Sequence, residues 1–291
     1  MQDADKHVSG ETETPPEEKS FFNIIVHSFF IVPFLIAVFC VLLFAGINLL
    51  TRENRTVYDY LEDIKTGGLT KRWQGAFELS KILANPKLLP EEDRFYAELS
   101  RAFEDSGHDD PRVRQYLALA MGRAGRPEFV DPLIKALEDR ENTSNPSIIY
   151  ALGMLKDPKA TQALIVYLDY PDPRIRSIAT VAVGNIGSPE AVPFLRAMLL
   201  DGEPNVQWGA AISLAKMNDG SGREILAKLL DRQYLSQFPE VDGDEQTNLM
   251  ISAINASSYL KDPFLFDKVR ELSQSDPNMN VRAEAMKVVN P

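Results

Sequence analysis

Residues able to do chemistry are sparse in this chain, and their spacing says more than their number. Arg114, Arg176 and Arg282 each follow a valine or isoleucine at one recurrent position. Guanidinium groups repeated along one face would suit carboxylates or phosphates, which they bind through paired N–H donors. The same column also suits a structural ladder, each arginine paired with an aspartate at a neighbouring turn. Asp110 and Asp172 stand close by in sequence, and we read the set Asp110, Arg114, Asp172, Arg176 and Arg282 as such a ladder. The remaining inventory argues against catalysis. His7, His27 and His108 form no His-Glu-x-x-His pair, and Cys40 is alone. No glycine-rich phosphate cradle, dinucleotide fingerprint or Gly-x-Ser-x-Gly elbow occurs. The acidic run Glu240–Glu245 hints at a calcium loop, but Ile251 stands where the bidentate glutamate belongs, so it reads as a solvated loop. No catalytic, cofactor-binding or metal-ligating residue is expected.

Recognition of another protein needs different residues. Trp73 and Trp208 share one local context, and Trp208 lies in a column otherwise holding Gln115 and Ser177. That column predicts a solvent-facing tryptophan, a residue type enriched at binding hot spots; packing over a neighbouring turn is the competing reading. Tyr234 and Phe238 lie in an insertion, Arg232 to Asp244, that is either a binding loop or a spacer. Trp73, Trp208, Tyr234 and Phe238 are therefore the candidate protein-binding residues.

These side chains are carried by a repeat. Gly122, Gly153 and Gly184 are 31 residues apart, as are Pro127, Pro158 and Pro189. Leu133, Leu164, Leu195 and Leu226 keep the same period, and so do Leu137, Leu168, Leu199 and Leu230. Leucines four apart share one helical face. Small residues such as Ala120, Ala151 and Ala182 mark where a first helix meets its neighbours. The prolines restart the chain after each break, since proline suits a first helical turn and blocks continuation of the previous helix. Asp110-Pro111 and Asp172-Pro173 read as N-cap aspartates with proline at the first helical position. The expected architecture is all-α: about six helical pairs plus a half-repeat over 71–291, in which neighbours bury one another's apolar faces.

The amino-terminal fifth has a different composition. Residues 1–20 hold six acids and two lysines and are expected to be a disordered acidic tail. Residues 21–50 include a 19-residue uncharged run, Phe29 to Ile47, long enough for a transmembrane helix. The run is too long, and its leading flank too acidic, for a cleaved signal peptide. Residues 51–70 are expected to form a juxtamembrane helix and linker. Arg52, Arg55 and Lys65 outnumber Lys6 and Lys19, which places the carboxy-terminal domain in the cytoplasm. The net charge of −11 argues against nucleic acid.

Asp-Pro-x-Val/Ile-Arg, an alanine-rich helix ending Gly-x-x-Gly, and then Pro-Glu-x-Val-x-x-Leu stand out in Asp172 to Leu200 and Asp110 to Asp139. This signature resembles the short bacterial HEAT-like repeats first associated with phycobilin lyases, over about residues 70–290. The resemblance implies an α-solenoid and most often a protein-binding scaffold. Deoxyhypusine hydroxylases resemble the same fold, but they require His-Glu pairs that are missing here. DNA glycosylases of the type need a basic groove. The expected function is a single-pass scaffold or adaptor at a bacterial inner membrane, an accessory subunit with a protein partner. The alternative is a membrane-tethered, lyase-like or chaperone protein that handles an acidic cofactor, with Arg114 and Arg176 toward its carboxylates.

Overall fold

The computed structural model describes residues 27–50, 55–140 and 142–290, in two compact units divided after Asn54. The expected acidic tail lies outside the described residues. No strand occurs among them.

In the first unit, a π-helical turn, His27–Ile31, leads into α1, Val32–Leu50. Pro33 sits in the first turn of α1, directly after the π-helical turn. Phe29–Ile47 is long and apolar enough to cross a membrane, by length and composition, and none of its side chains is buried.

The second unit begins with α2 (Val57–Thr66), whose Thr56 and Asp59 form a capping box. α2 packs on α3 (Leu69–Ile82), and six helical pairs follow one another. They are α3 with α4 (Asp93–Asp105), α5 (Pro111–Ala124) with α6 (Val130–Ala136), and α7 (Asn145–Leu155) with α8 (Thr161–Ile165). Next come α9 (Pro173–Ile186) with α10 (Val192–Met198), and α11 (Pro204–Lys216) with α12 (Arg223–Leu229). A short α13 (Arg232–Leu235) intervenes before α14 (Gly243–Leu260) with α15 (Pro263–Ser275) and the single α16 (Met279–Val289). The first helices, α3, α5, α7, α9, α11, α14 and α16, pack in succession as one layer. The second helices form the other layer, entered through 3₁₀ turns at Pro127, Pro158 and Pro189. Leu133, Leu164, Leu195 and Leu226 are fully buried between the layers.

Sequence dictates how closely the first helices meet. A Cβ on Gly153 would stand 2.7 Å from the Cα of Ala182, and one on Gly122 would stand 2.8 Å from the Cα of Ala151. Those contacts are backbone, so no rotamer change relieves them. We expect Gly153→Ala to destabilise by roughly 1–3 kcal/mol, the usual range for overpacking. The same change in an exposed helix interior is stabilising by about 0.5–1 kcal/mol. The opposite sign of the urea-denaturation shift at Gly153 is the check.

Five of the seven first helices, α5, α7, α9, α11 and α14, end by a left-handed residue: Gly125, Lys156, Gly187, Asn218 and Lys261, with φ between 49° and 71°. Glycine adopts that conformation freely, and asparagine and lysine bear a modest strain. The glycines of the 31-residue column therefore set the helix approach, and the left-handed residues three positions later end the helices.

Candidate protein-binding groove

The arginine column is built into the repeat. Arg176 makes a two-pronged ion pair with Asp201, Nε to Oδ2 at 2.8 Å and Nη2 to Oδ1 at 3.0 Å. The Arg176 guanidinium holds the Asp201 carboxyl below the usual carboxylate range, against the opposing effect of burial. Arg72 pairs with Asp109 through Nη2 alone, while its Nε donates to the Ile64 carbonyl at 2.9 Å. Asn145, at the equivalent position of the repeat before Arg176, donates its amide to the carbonyls of Asp139 and Arg140 at 2.8 and 3.1 Å. Arg282 donates to the carbonyls of Asp276 and Pro277 at 2.6 and 3.1 Å. Arg114 lies 4.7 Å from the centre of the Phe103 ring, and burial pushes its pKa down while Asp139 opposes the shift.

The ladder therefore uses the aspartates that close a repeat, Asp109 and Asp201, and the expectation for Asp110 and Asp172 is corrected. These two cap their own helices, each accepting from a backbone N–H two residues on. Their carboxylates pair with Arg112 and Arg174. A carboxylate held at an N-cap has little reach toward the next repeat. Arg72 escaped notice because its column is legible only through the likeness of the stretches around Trp73 and Trp208.

Trp208 is 1% exposed, which overturns the expected solvent-facing anchor. Its ring meets Phe238 edge-on at 4.9 Å and Tyr234 at 6.3 Å, and its Nε1 donates to the Tyr234 hydroxyl at 3.2 Å. Leu235 and Val241 of the insertion are buried beside them. The insertion is thus a folded clamp over Trp208, with Asp242 capping α14 through the N–H groups of Asp244 and Glu245. Trp73 is half-buried, with the Arg112 guanidinium 4.5 Å above its ring.

A different feature is open. Where the insertion breaks the period, α14 packs on α11 less extensively than α9 does. The first-helix layer parts there into a groove of about 540 Å³. Ile178 and Val181 of α9, Ile212 of α11 and Leu249 of α14 line it above small residues, Ser177, Gly209 and Ser213. Trp208 forms part of its floor from the clamped side. Lys216 closes the end where the helices terminate; burial pushes its pKa down, and Lys156, two repeats earlier, is near enough to add to the shift. The groove carries no nucleophile with a base and no grouping of metal ligands among the described residues. Its lining is a mixture of aliphatic and small side chains with charged groups at the two ends.

The repeats, their paired layers and the buried ladder define an α-solenoid of helical hairpins. The HEAT-repeat family profile matches residues 100–182 and 164–237, ending inside the insertion, so HEAT repeats are found over that stretch. In structure it is similar to a chain from the complex of CpcE and CpcF of phycocyanin lyase from Nostoc sp. PCC7120. That likeness has a TM-score of 0.55 at 21% identity and covers 82% of this chain and 96% of that one, so it is one of fold. Human deoxyhypusine hydroxylase has a TM-score of 0.35 at 16% identity over 80% of this chain and 94% of its own. An engineered protein has 0.43 at 19% identity over 81% and 97%. Scores that low leave both without weight. Among curated proteins, none matches the chain in sequence.

Proposed function

We propose that this is a membrane-anchored HEAT-repeat scaffold whose second unit binds another protein through the first-helix layer. The observation that carries the reading is the groove between α9, α11 and α14. It exposes aliphatic side chains inside a soluble repeat unit, where they would otherwise be covered. The exposed α1 segment supports attachment to a bilayer, since a helix with no buried side chain is stable only if lipid or protein surrounds it. In this reading the repeat unit faces the cytoplasm, on the side with more Arg and Lys, and the chain serves as an accessory subunit of a membrane complex.

The alternative, a lyase-like protein for an acidic cofactor, draws on Arg114. Its Nε is buried with no hydrogen-bond partner, and it lines a cavity with Lys135 and His108. Glu104, Glu138 and Asp139 line the same cavity and repel an acidic ligand, so the scaffold reading is favoured.

Full-length protein taken from native membranes in a mild detergent tests the proposal. We expect it to stay with the membrane through an alkaline wash and to bring a stoichiometric partner. Val181→Asp is expected to lose that partner with helicity unchanged. A chain that emerges alone, or is released by the wash, would overturn the scaffold reading or the anchor respectively.

A further inference from the structure

Resting on that reading, we infer that the partner protein docks an amphipathic helix on the first-helix layer, entering the groove along its α9 and α11 walls and extending past it onto α7. It lies across α7, α9 and α11, with its apolar stripe on Tyr150, Val181 and Ile212 and acidic side chains over Lys156 and Lys216.

The repeat sets the occupant's period. Tyr150, Val181 and Ile212 hold one repeat position, 31 residues apart, on three successive first helices. Tyr150 is 50% exposed and Val181 38%, on a surface otherwise built to bury apolar groups. Packed helices stand about 8–10 Å apart. A helix laid across them advances about 10.5 Å for each heptad. One apolar residue per heptad therefore meets one exposed side chain per repeat, and the match holds over three repeats. An extended strand rises about 3.3 Å per residue and turns alternate side chains away, so it fits the spacing less well. The small residues Ser177, Gly209 and Ser213 between the aliphatic side chains leave room for a close approach.

Charge selects the occupant's flank. α7, α9 and α11 run in parallel, as first helices of successive repeats, so the groove has two distinct edges. At their amino-terminal ends stand Glu203, Glu245 and Arg174, and Arg174 is taken by Asp172. At the carboxy-terminal edge Lys216 is the last residue of α11 and lines the groove, Lys156 caps the carboxy-terminal end of α7, and neither has an acidic partner among the described residues. In a chain of net charge −11 this is an uncompensated positive corner beside an apolar stripe. Carboxylates brought there meet unpaired cations, while a basic flank is repelled.

The test uses two synthetic three-heptad peptides with the same apolar stripe, one flanked by glutamates and one by lysines. Each is labelled and titrated by fluorescence anisotropy against the full-length protein in lipid nanodiscs, with empty discs as the blank. We expect the acidic peptide to bind at least roughly tenfold more tightly, as like-charge juxtaposition on the other peptide is costly. The double variant K156E/K216E should reverse the preference, and Val181→Asp should weaken both peptides, with circular dichroism unchanged in each case. Equal affinities, a preference for the basic peptide, or binding by neither would overturn the inference. Co-purification separates this from the broader reading. A native partner retained equally by wild type and by K156E/K216E would uphold the scaffold and overturn the acidic helix.

Discussion

Trp208→Ala is expected to lose about 3–5 kcal/mol of stability, the range for deleting a fully buried large aromatic side chain. The indole is held on two sides. Its edge contacts with Phe238 and Tyr234 clamp the insertion onto α11, and its Nε1 spends its one donor on the Tyr234 hydroxyl. Truncation leaves a cavity between α11 and the insertion and strands that hydroxyl. Trp208→Phe keeps most of the apolar volume and loses the hydrogen bond, so it should cost less, about 1–2 kcal/mol. A tryptophan acting as an exposed anchor would behave in the opposite way: its alanine variant would bind poorly and melt normally. Urea unfolding of the two variants, followed by helicity, separates the cases. A wild-type midpoint for Trp208→Ala would contradict the packing described for this residue.

Most of the architecture was legible in the sequence because each repeat column answers a local steric demand. Gly153 is glycine because the Cα of Ala182 stands where its Cβ would go, and the same crowding recurs at Gly122 against Ala151 and at Gly184 against Ser213. Asp110 and Asp172 announce helix starts through chemistry confined to a few residues. Trp208 was misread because its environment is non-local. In regular repeats its column carries the small or polar Gln115 and Ser177, and only the return of Tyr234 and Phe238, some 26 and 30 residues later, buries it. The ladder was foreseen in kind, but its acids were misassigned. Sequence proximity favoured Asp110 and Asp172, whereas Arg176 reaches Asp201, 25 residues on, across the hairpin. The groove left no mark at any single position. Val181, Ile212 and Leu249 are ordinary helix residues one by one, and they line one groove only when the repeats are stacked.

The second large effect is expected at the far end of the stack, where Asp276→Ala should cost about 3–5 kcal/mol, the range for removing one member of a buried ion pair. The Asp276 side chain is 1% exposed. Its carboxylate accepts from Arg232 Nε and Nη2, each at 2.8 Å, and from the Asn278 backbone N–H at 2.8 Å. It thereby joins the insertion, 44 residues earlier, to the turn that starts α16. Alanine leaves the Arg232 guanidinium, itself only 29% exposed, without its acid, and it removes an acceptor at the start of α16. Asp276→Asn keeps an acceptor for Asn278 and gives up the charge and half of the fork, so a smaller loss of about 1–3 kcal/mol follows. Repeat arrays open from their ends, because each unit is held by its neighbours alone. The loss should therefore be concentrated in α13 to α16, and hydrogen exchange should accelerate there while the amides of α5, α7 and α9 keep their protection. Acceleration spread evenly along the unit would mean that the stack melts as one body and that this link has no special place in it. Because the groove lies between α9, α11 and α14, the same variant also separates its two sides. Contacts on Val181 and Ile212 should survive, and those on Leu249 should loosen with α14.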